Sequence, residues 1–211
     1  MGVSPQPLKS LLHQAISLVE EFHRVSNGLR PVHASRRAAP LPEQPANPAW
    51  LKPNANCDLA GRVALGLARK TGARVGYLAV GECAVHAVAR LWFQFANVDA
   101  GKVPAGELEE TDFPRITRAA GRIATATITF TDRDVPARRI RQTTRQFIEE
   151  CRLEYLVVDD PDVATLRNPK LSRDMDRWRV RMEFREAVRR TGVTMILPGD
   201  APGFRAPSPW D

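Results

Sequence analysis

The stretch CRLEYLVVDDPD, residues 151–162, decides the fold class of this chain. It runs from a polar start through the largely apolar residues 153–158 into Asp159 and Asp160. A short apolar run bounded by turn residues is typical of a strand that is buried in a sheet. Carboxylates at the end of such a strand hold magnesium in many nucleotide-hydrolysing proteins. The alternative for this pair is a solvated strand end with Asp-Pro turn chemistry.

Outward from this strand, the hydrophobic pattern alternates between strands and helices. Strands are predicted at residues 74–80, 125–130, 153–158 and 193–197, and helices at 59–70, 84–96, 111–122, 136–151 and 173–190. Such alternation predicts an α/β fold, a parallel sheet covered by helices on both faces, because the crossovers are right-handed. Ligands of these sheets bind at the carboxyl ends of the strands, and each predicted strand here ends in a carboxylate.

The N-terminal part of the chain has a different composition. Residues 1–25 contain an amphipathic helix at 7–24, whose apolar face carries Leu8, Leu11, Leu12, Ala15, Val19 and Phe22. Residues 26–56 contain six prolines and few large apolar side chains, which is typical of a linker or extended arm. The main domain is therefore predicted at 57–203, with a tail at 204–211.

The charge balance permits contact with nucleic acid. The net charge is +7, with 26 Arg and 5 Lys, and the planar guanidinium of Arg binds two phosphate oxygens at once. The excess of Arg over Lys is equally explained by a GC-rich genome. With no apolar run of about 20 residues and no signal-peptide pattern, we expect a cytoplasmic protein that does not bind membranes.

The cysteines indicate neither a disulfide scaffold nor a zinc site. Cys57, Cys83 and Cys151 are few and scattered. Cys83 and His86 form one C-x-x-H pair, but structural zinc usually needs four ligands.

The order of the segments resembles the RecA-like motor domain of DnaB-type replicative helicases, over roughly residues 58–203. The similarity lies in GARVGYLAVGECAVHAVARL (72–91), RITRAAGRI (115–123), RIRQTTRQFIEECRLEYLVVDD (139–160) and AVRRTGVTMILPGD (187–200). The resemblance implies a RecA-like fold, with Glu82 as the base that activates water and Asp159 as the metal ligand. Asp200 stands where the family has a glutamine that senses the γ-phosphate.

The phosphate loop departs from the family. Its backbone N–H groups, a lysine and a hydroxyl normally hold the phosphates and magnesium. The nearest candidate here is Gly61-Arg62-Val63, which has neither lysine nor hydroxyl. We also do not expect the chain to supply the family's arginine finger.

Three functions follow as hypotheses. The first is a protein with the motor fold that has lost hydrolysis and needs no cofactor. It binds DNA weakly and without sequence preference, or binds helicase-like subunits or a second copy of the chain through residues 7–24. The second is an active hydrolase or helicase component that uses ATP and Mg²⁺ through Glu82, Asp159 and Arg62. The third is a small interaction protein whose fold carries no inherited role. The resemblance places a DNA-facing loop after the 153–158 strand, at Arg167, Lys170 and Arg173.

Overall fold

The computed structural model describes residues 5–26, 55–80, 82–132, 139–161 and 172–198. These residues form seven helices: α1 (Leu8–Ser26), α2 (Ala55–Thr71), α3 (Ala84–Ala96), α4 (Lys102–Ala105), α5 (Asp112–Ile123), α6 (Ile140–Cys151) and α7 (Arg173–Val188). They also form five strands: β1 (Gln6–Pro7), β2 (Val75–Ala79), β3 (Ile128–Asp132), β4 (Tyr155–Val158) and β5 (Thr194–Ile196). The predicted α/β fold class is confirmed.

The five strands form one sheet in the order β1-β3-β2-β4-β5. The pairs β2–β3, β2–β4 and β4–β5 are parallel. The short edge strand β1 pairs antiparallel with β3, and the hydrophobic pattern does not indicate it. Pro7 is tolerated there because an edge strand has one row of N–H groups without a ladder partner.

Helices cover both faces of the sheet because side chains alternate along each strand. On one face, β2 contributes Val75, Tyr77 and Ala79 to a core shared with helices α1 to α5. On the other face, Leu78 and Val80 join a smaller core that is closed by α6 and α7. The predicted arrangement of helices on both faces is therefore what the described residues show.

Helix α1 belongs to the larger core. Its apolar side chains are almost fully buried: Leu8, Leu11, Leu12, Ala15, Leu18 and Val19. They pack chiefly on α3, with further contacts to α4. Most of the predicted linker, residues 27–54, and the predicted tail lie outside the described residues.

Local sequence explains several helix ends. Asn97 adopts the left-handed conformation after α3, with φ of 55°, and its N–H is bonded to the carbonyl of Gln94. Ser172 caps α7, since its Oγ accepts the N–H of Met175 at 3.3 Å. Asp174 and Asp176 follow in the first turn of that helix, where the helix dipole favours negative charge.

Among the residues that the structure describes, no helix has both the length and the apolar character that a membrane span requires.

Candidate functional site

A buried polar cluster lies at the carboxyl end of the two central strands, β2 and β4. Glu82 follows β2, and Asp159 follows β4. Tyr77 reaches the cluster from within β2, and Arg90 from the middle of α3. Cys57 lies beside them in the first turns of α2. The fold thus brings Glu82 and Asp159 together at one edge of the sheet, and the roles of base and metal ligand stay predictions.

Arg90 bridges the two carboxylates. Its Nη1 donates to Oε2 of Glu82 at 2.8 Å, and its Nη2 donates to Oε1 of the same side chain. The same Nη2 lies 3.2 Å from Oδ2 of Asp159. The side chains of Arg90, Glu82 and Asp159 are 9%, 13% and 0% exposed. Two carboxylates therefore share one cation in a place that water hardly reaches.

Asp159 has protein donors on both oxygens. Oδ1 accepts the backbone N–H of Val80 at 3.0 Å, and Oδ2 accepts the hydroxyl of Tyr77 at 3.1 Å as well as Arg90. Its backbone N–H donates to the carbonyl of Leu78 at 3.1 Å. Both the side chain and the backbone of Asp159 thus tie β4 to β2.

The cluster carries one more negative than positive group when both carboxylates are ionised. Burial raises the pKa of the Cys57 thiol and of the Tyr77 phenol, so both stay neutral at pH 7. Burial, helped by the charge of Arg90, lowers the pKa of His86 to about 4, so this imidazole is also neutral. Within the described cluster, the guanidinium of Arg90 is thus the one positive charge beside the two carboxylates, and it balances only one of them.

An excess negative charge in a poorly solvated site is relieved by taking up a proton. Burial raises the pKa of Glu82 to about 7, and the charge of nearby Asp159 adds to the effect. Burial also raises the pKa of Asp159, but the N–H of Val80 opposes that rise by stabilising the carboxylate. We place the proton on Glu82 because Asp159 has more donors on its oxygens.

This protonation predicts a pH dependence of stability. A carboxyl group whose pKa is higher in the folded state contributes stability below its unfolded value, and loses that contribution as the pH rises through the folded value. The free energy of unfolding, measured in urea, should therefore fall between about pH 4.5 and pH 7 by up to roughly 3 kcal/mol through Glu82. In Glu82→Gln this contribution should be absent. A difference between the two proteins that stays flat or grows with pH would show that pairing with Arg90 outweighs burial.

Magnesium fits the cluster poorly. In the described residues, the group that offers three ligand atoms is Cys57, Glu82 and Asp159, whose atoms lie within 4.8 Å of one another. Magnesium binds oxygen and could use the two carboxylates without the thiol, but Arg90 already donates to an oxygen of each carboxylate. Arg90 already provides the positive charge that a divalent ion would bring. The donor set of this cluster therefore does not support a catalytic step through magnesium.

The nearest candidate for a phosphate loop is part of a regular helix. Gly61 and Arg62 lie inside α2, which begins six residues earlier at Ala55. Their N–H groups belong to the helical hydrogen-bond ladder and do not point at a ligand. A Cβ on Gly61 would come within 3.0 Å of Leu91 Cδ1, so this glycine allows α2 to approach α3 closely. Arg62 is exposed on the outer surface.

Four other predicted site residues cannot be placed against this cluster. Asp200, Arg167 and Lys170 lie outside the described residues. Arg173 is the first residue of α7, but its side chain is outside the description. The roles predicted for all four stay predictions.

Arg90, Tyr77 and Cys57 were not predicted as site residues. One signal was available, since Arg90 falls within the nearly unbroken apolar run AVHAVARLWF (84–93) of α3. An arginine that is buried among apolar neighbours needs an acidic partner. The identity of that partner depends on the fold, because Asp159 is 69 residues away.

Comparison with known proteins adds no assignment: no protein-family model matches the chain, and no curated protein matches it.

Proposed function

We propose that this chain is a RecA-like protein of the DnaB motor type that does not hydrolyse nucleotides and acts by binding, with nucleic acid as its main partner. The observation that carries the proposal is the position of Arg90, which bridges Glu82 and Asp159. In the related motors, these two positions supply the base and the metal ligand. Here one side chain of the protein itself, Arg90, pairs with both carboxylates.

This arrangement works against hydrolysis in two ways. A general base must be able to accept a proton from water. Glu82 instead already carries a proton below about pH 7, and both of its oxygens face the guanidinium of Arg90. A metal ligand must offer an oxygen to the ion, but both oxygens of Asp159 accept protein donors. The cluster therefore acts as a brace between β2, β4 and α3.

The surroundings of the cluster support the same conclusion. Phosphoryl transfer depends on backbone N–H groups, a lysine and a metal ion that hold the phosphates. The N–H groups of Gly61 and Arg62 are engaged within α2. Val63, which follows them, offers no oxygen to a metal.

A binding role suits the surface charge. The net charge is +7 and Arg accounts for most of the cations. A basic excess of this kind favours polyanions such as nucleic acid. Helicase-like subunits or a second copy of the chain are further partners within the same proposal, contacted through the exposed polar face of α1, since its apolar face is buried against α3.

Steady-state release of phosphate from ATP tests the loss of hydrolysis. The wild-type protein, Glu82→Gln and Asp159→Asn should all give background turnover, with or without single-stranded DNA. Glu149→Gln, an equivalent change at an exposed glutamate of α6, is the matched control. Turnover that Glu82→Gln and Asp159→Asn abolish, but Glu149→Gln preserves, would overturn the proposal.

A further inference from the structure

A groove of about 590 Å³ runs between α2 and α3, on the outer surface of the helix pair. Helix α2 lines it with Arg62, Leu65, Gly66, Arg69 and Lys70, and α3 with Leu91, Gln94, Phe95 and Asn97. Arg69, Lys70 and Asn97 lie at or just beyond the C-terminal ends of the two helices. The buried cluster instead contacts the start of α2 at Cys57. The groove is therefore a separate feature from the Glu82–Arg90–Asp159 cluster.

The groove is basic. Three of the lining residues are cationic, and none of them is acidic. Within the described part of the chain, no carboxylate forms an ion pair with Arg62, Arg69 or Lys70. Arg69 and Lys70 also lie in the last turn of α2, where cations favour the helix dipole. Arg62 lies about two turns earlier, where the dipole gives no reason for a cation.

The spacing of the cations indicates the size of the ligand. Arg62 and Lys70 are eight residues apart on one helix, which corresponds to about 12 Å along its axis. A single phosphate group is too small to contact both ends of that distance. The groove thus fits a ligand that carries several phosphates in a row.

Other side chains in the groove suit nucleotide bases and favour a single strand over a duplex. The guanidinium carbon of Arg69 lies 5.2 Å from the centroid of the Phe95 ring, in a cation–π contact. Stacked in this way, the guanidinium keeps N–H groups for phosphate oxygens. Asn97, which also lines the groove, adds a side-chain amide. A basic groove with an aromatic side chain is the usual combination for single strands, whose bases are free to stack.

Gly66 leaves room in the middle of the groove. It lies one turn from both Arg62 and Lys70, and a Cβ added there would meet no atom within 4 Å. A glycine inside a helix costs stability relative to alanine, and no close packing at this position requires one. Its absent side chain keeps the space between the cations open.

From these features we infer that the α2–α3 groove binds single-stranded nucleic acid, with Arg62, Arg69 and Lys70 on successive phosphates and Phe95 beside the bases. This inference rests on the proposed function and specifies its binding surface. It differs from the loop at Arg167, Lys170 and Arg173 that the resemblance implies.

Fluorescence anisotropy with a labelled oligothymidylate tests the inference. Arg62→Ala with Lys70→Ala should weaken binding at least 10-fold at low salt. The slope of log affinity against log salt should become shallower by about 1.4, because each phosphate that a cation neutralises on a single strand contributes about 0.7. The matched control is Arg118→Ala with Arg122→Ala, which removes the same charge from exposed positions of α5. The control should retain the wild-type slope.

Gly66→Leu separates the shape of the groove from its charge. It leaves every cation in place and raises the helix propensity of α2, yet it should weaken binding about 10-fold by filling the groove. Circular dichroism of each variant should match the wild type, since residues 62, 66 and 70 are not buried.

Four outcomes would overturn the inference. They are no detectable binding at low salt, an equal loss in the α5 control, wild-type affinity in Gly66→Leu, and equal competition by ATP at the same phosphate concentration. The last outcome would indicate a site for free nucleotides. Hydrolysis of ATP would contradict the proposed function but would not change the affinities for the oligothymidylate. Failure of the proposed function and failure of this inference are therefore distinguishable.

Discussion

Arg90→Leu should destabilise the protein by about 3–5 kcal/mol at pH 7, the usual cost of removing one partner from a buried ion pair. The substitution keeps most of the side-chain volume but leaves Glu82 and Asp159 buried without a cation. The loss should be smaller at pH 5, because the carboxyl groups can then take up protons. Urea denaturation at both pH values measures the effect.

The controls for Arg90→Leu separate the effect of burial from the effect of removing any paired arginine. Arg141→Leu removes an arginine that pairs with Glu183 on the surface, and should cost less than about 1 kcal/mol. Arg90→Lys keeps the charge and should cost less than Arg90→Leu. Combining Arg90→Leu with Glu82→Gln and Asp159→Asn should recover much of the stability. Equal losses for Arg90→Leu and Arg141→Leu would show that the bridge contributes little.

Gly76→Val should also destabilise the protein, by about 3 kcal/mol or more, because the centre of the sheet has no space for a side chain there. A Cβ at Gly76 would lie 2.3 Å from Leu153 Cδ1 and 2.9 Å from Phe147 Cε1. The methyl end of Leu153 can turn away, but the buried Phe147 ring cannot do so without moving α6 away from β2. Overpacking of this kind commonly costs 1–3 kcal/mol, and a branched side chain adds further atoms. Thermal or urea unfolding measures the loss.

Gly121→Ala is the opposite case and serves as the control. A Cβ there meets no atom within 4 Å, and the residue lies in α5. This change should stabilise the protein by about 0.5–1 kcal/mol.

The double variant Gly76→Ala with Phe147→Leu should be destabilised by less than the sum of the two single changes, since the smaller side chain at 147 makes room for the added Cβ. Strict additivity would contradict the proposed overlap.

Hydrophobic patterning predicted most of the architecture. The predicted helix at 84–96 coincides with α3, since most of its apolar side chains face a core. The strand predicted at 125–130 is instead β3, Ile128–Asp132. Thr125 and Ala126 precede it, and the N–H of Ala126 turns back to the carbonyl of Ile123. The hydrophobic periodicity does not distinguish such a turn from the start of a strand.

Local hydrophobic patterning could not predict two of the elements. Strand β1 has two residues, and its pairing partner Phe130 is more than 120 residues further along the chain. Helix α4 is a single turn, too short for any period to show. The candidate site was predictable only in part for the same reason. Glu82 and Asp159 each follow an apolar run, whereas the bridge through Arg90 depends on how α3 packs across the ends of two strands.

The position of β2 in the sheet has a consequence for how the chain folds. Val75 pairs with Ile128 on one side and with Tyr155 on the other, so its neighbours lie 53 and 80 residues later in the chain. Contacts between such distant segments slow folding, because long loops must close before the pairing stabilises them. During synthesis, both edges of β2 stay open until β3 and β4 have left the ribosome. Until then β2 is the segment most prone to aggregation, because the strands that pair with its two edges are synthesised later.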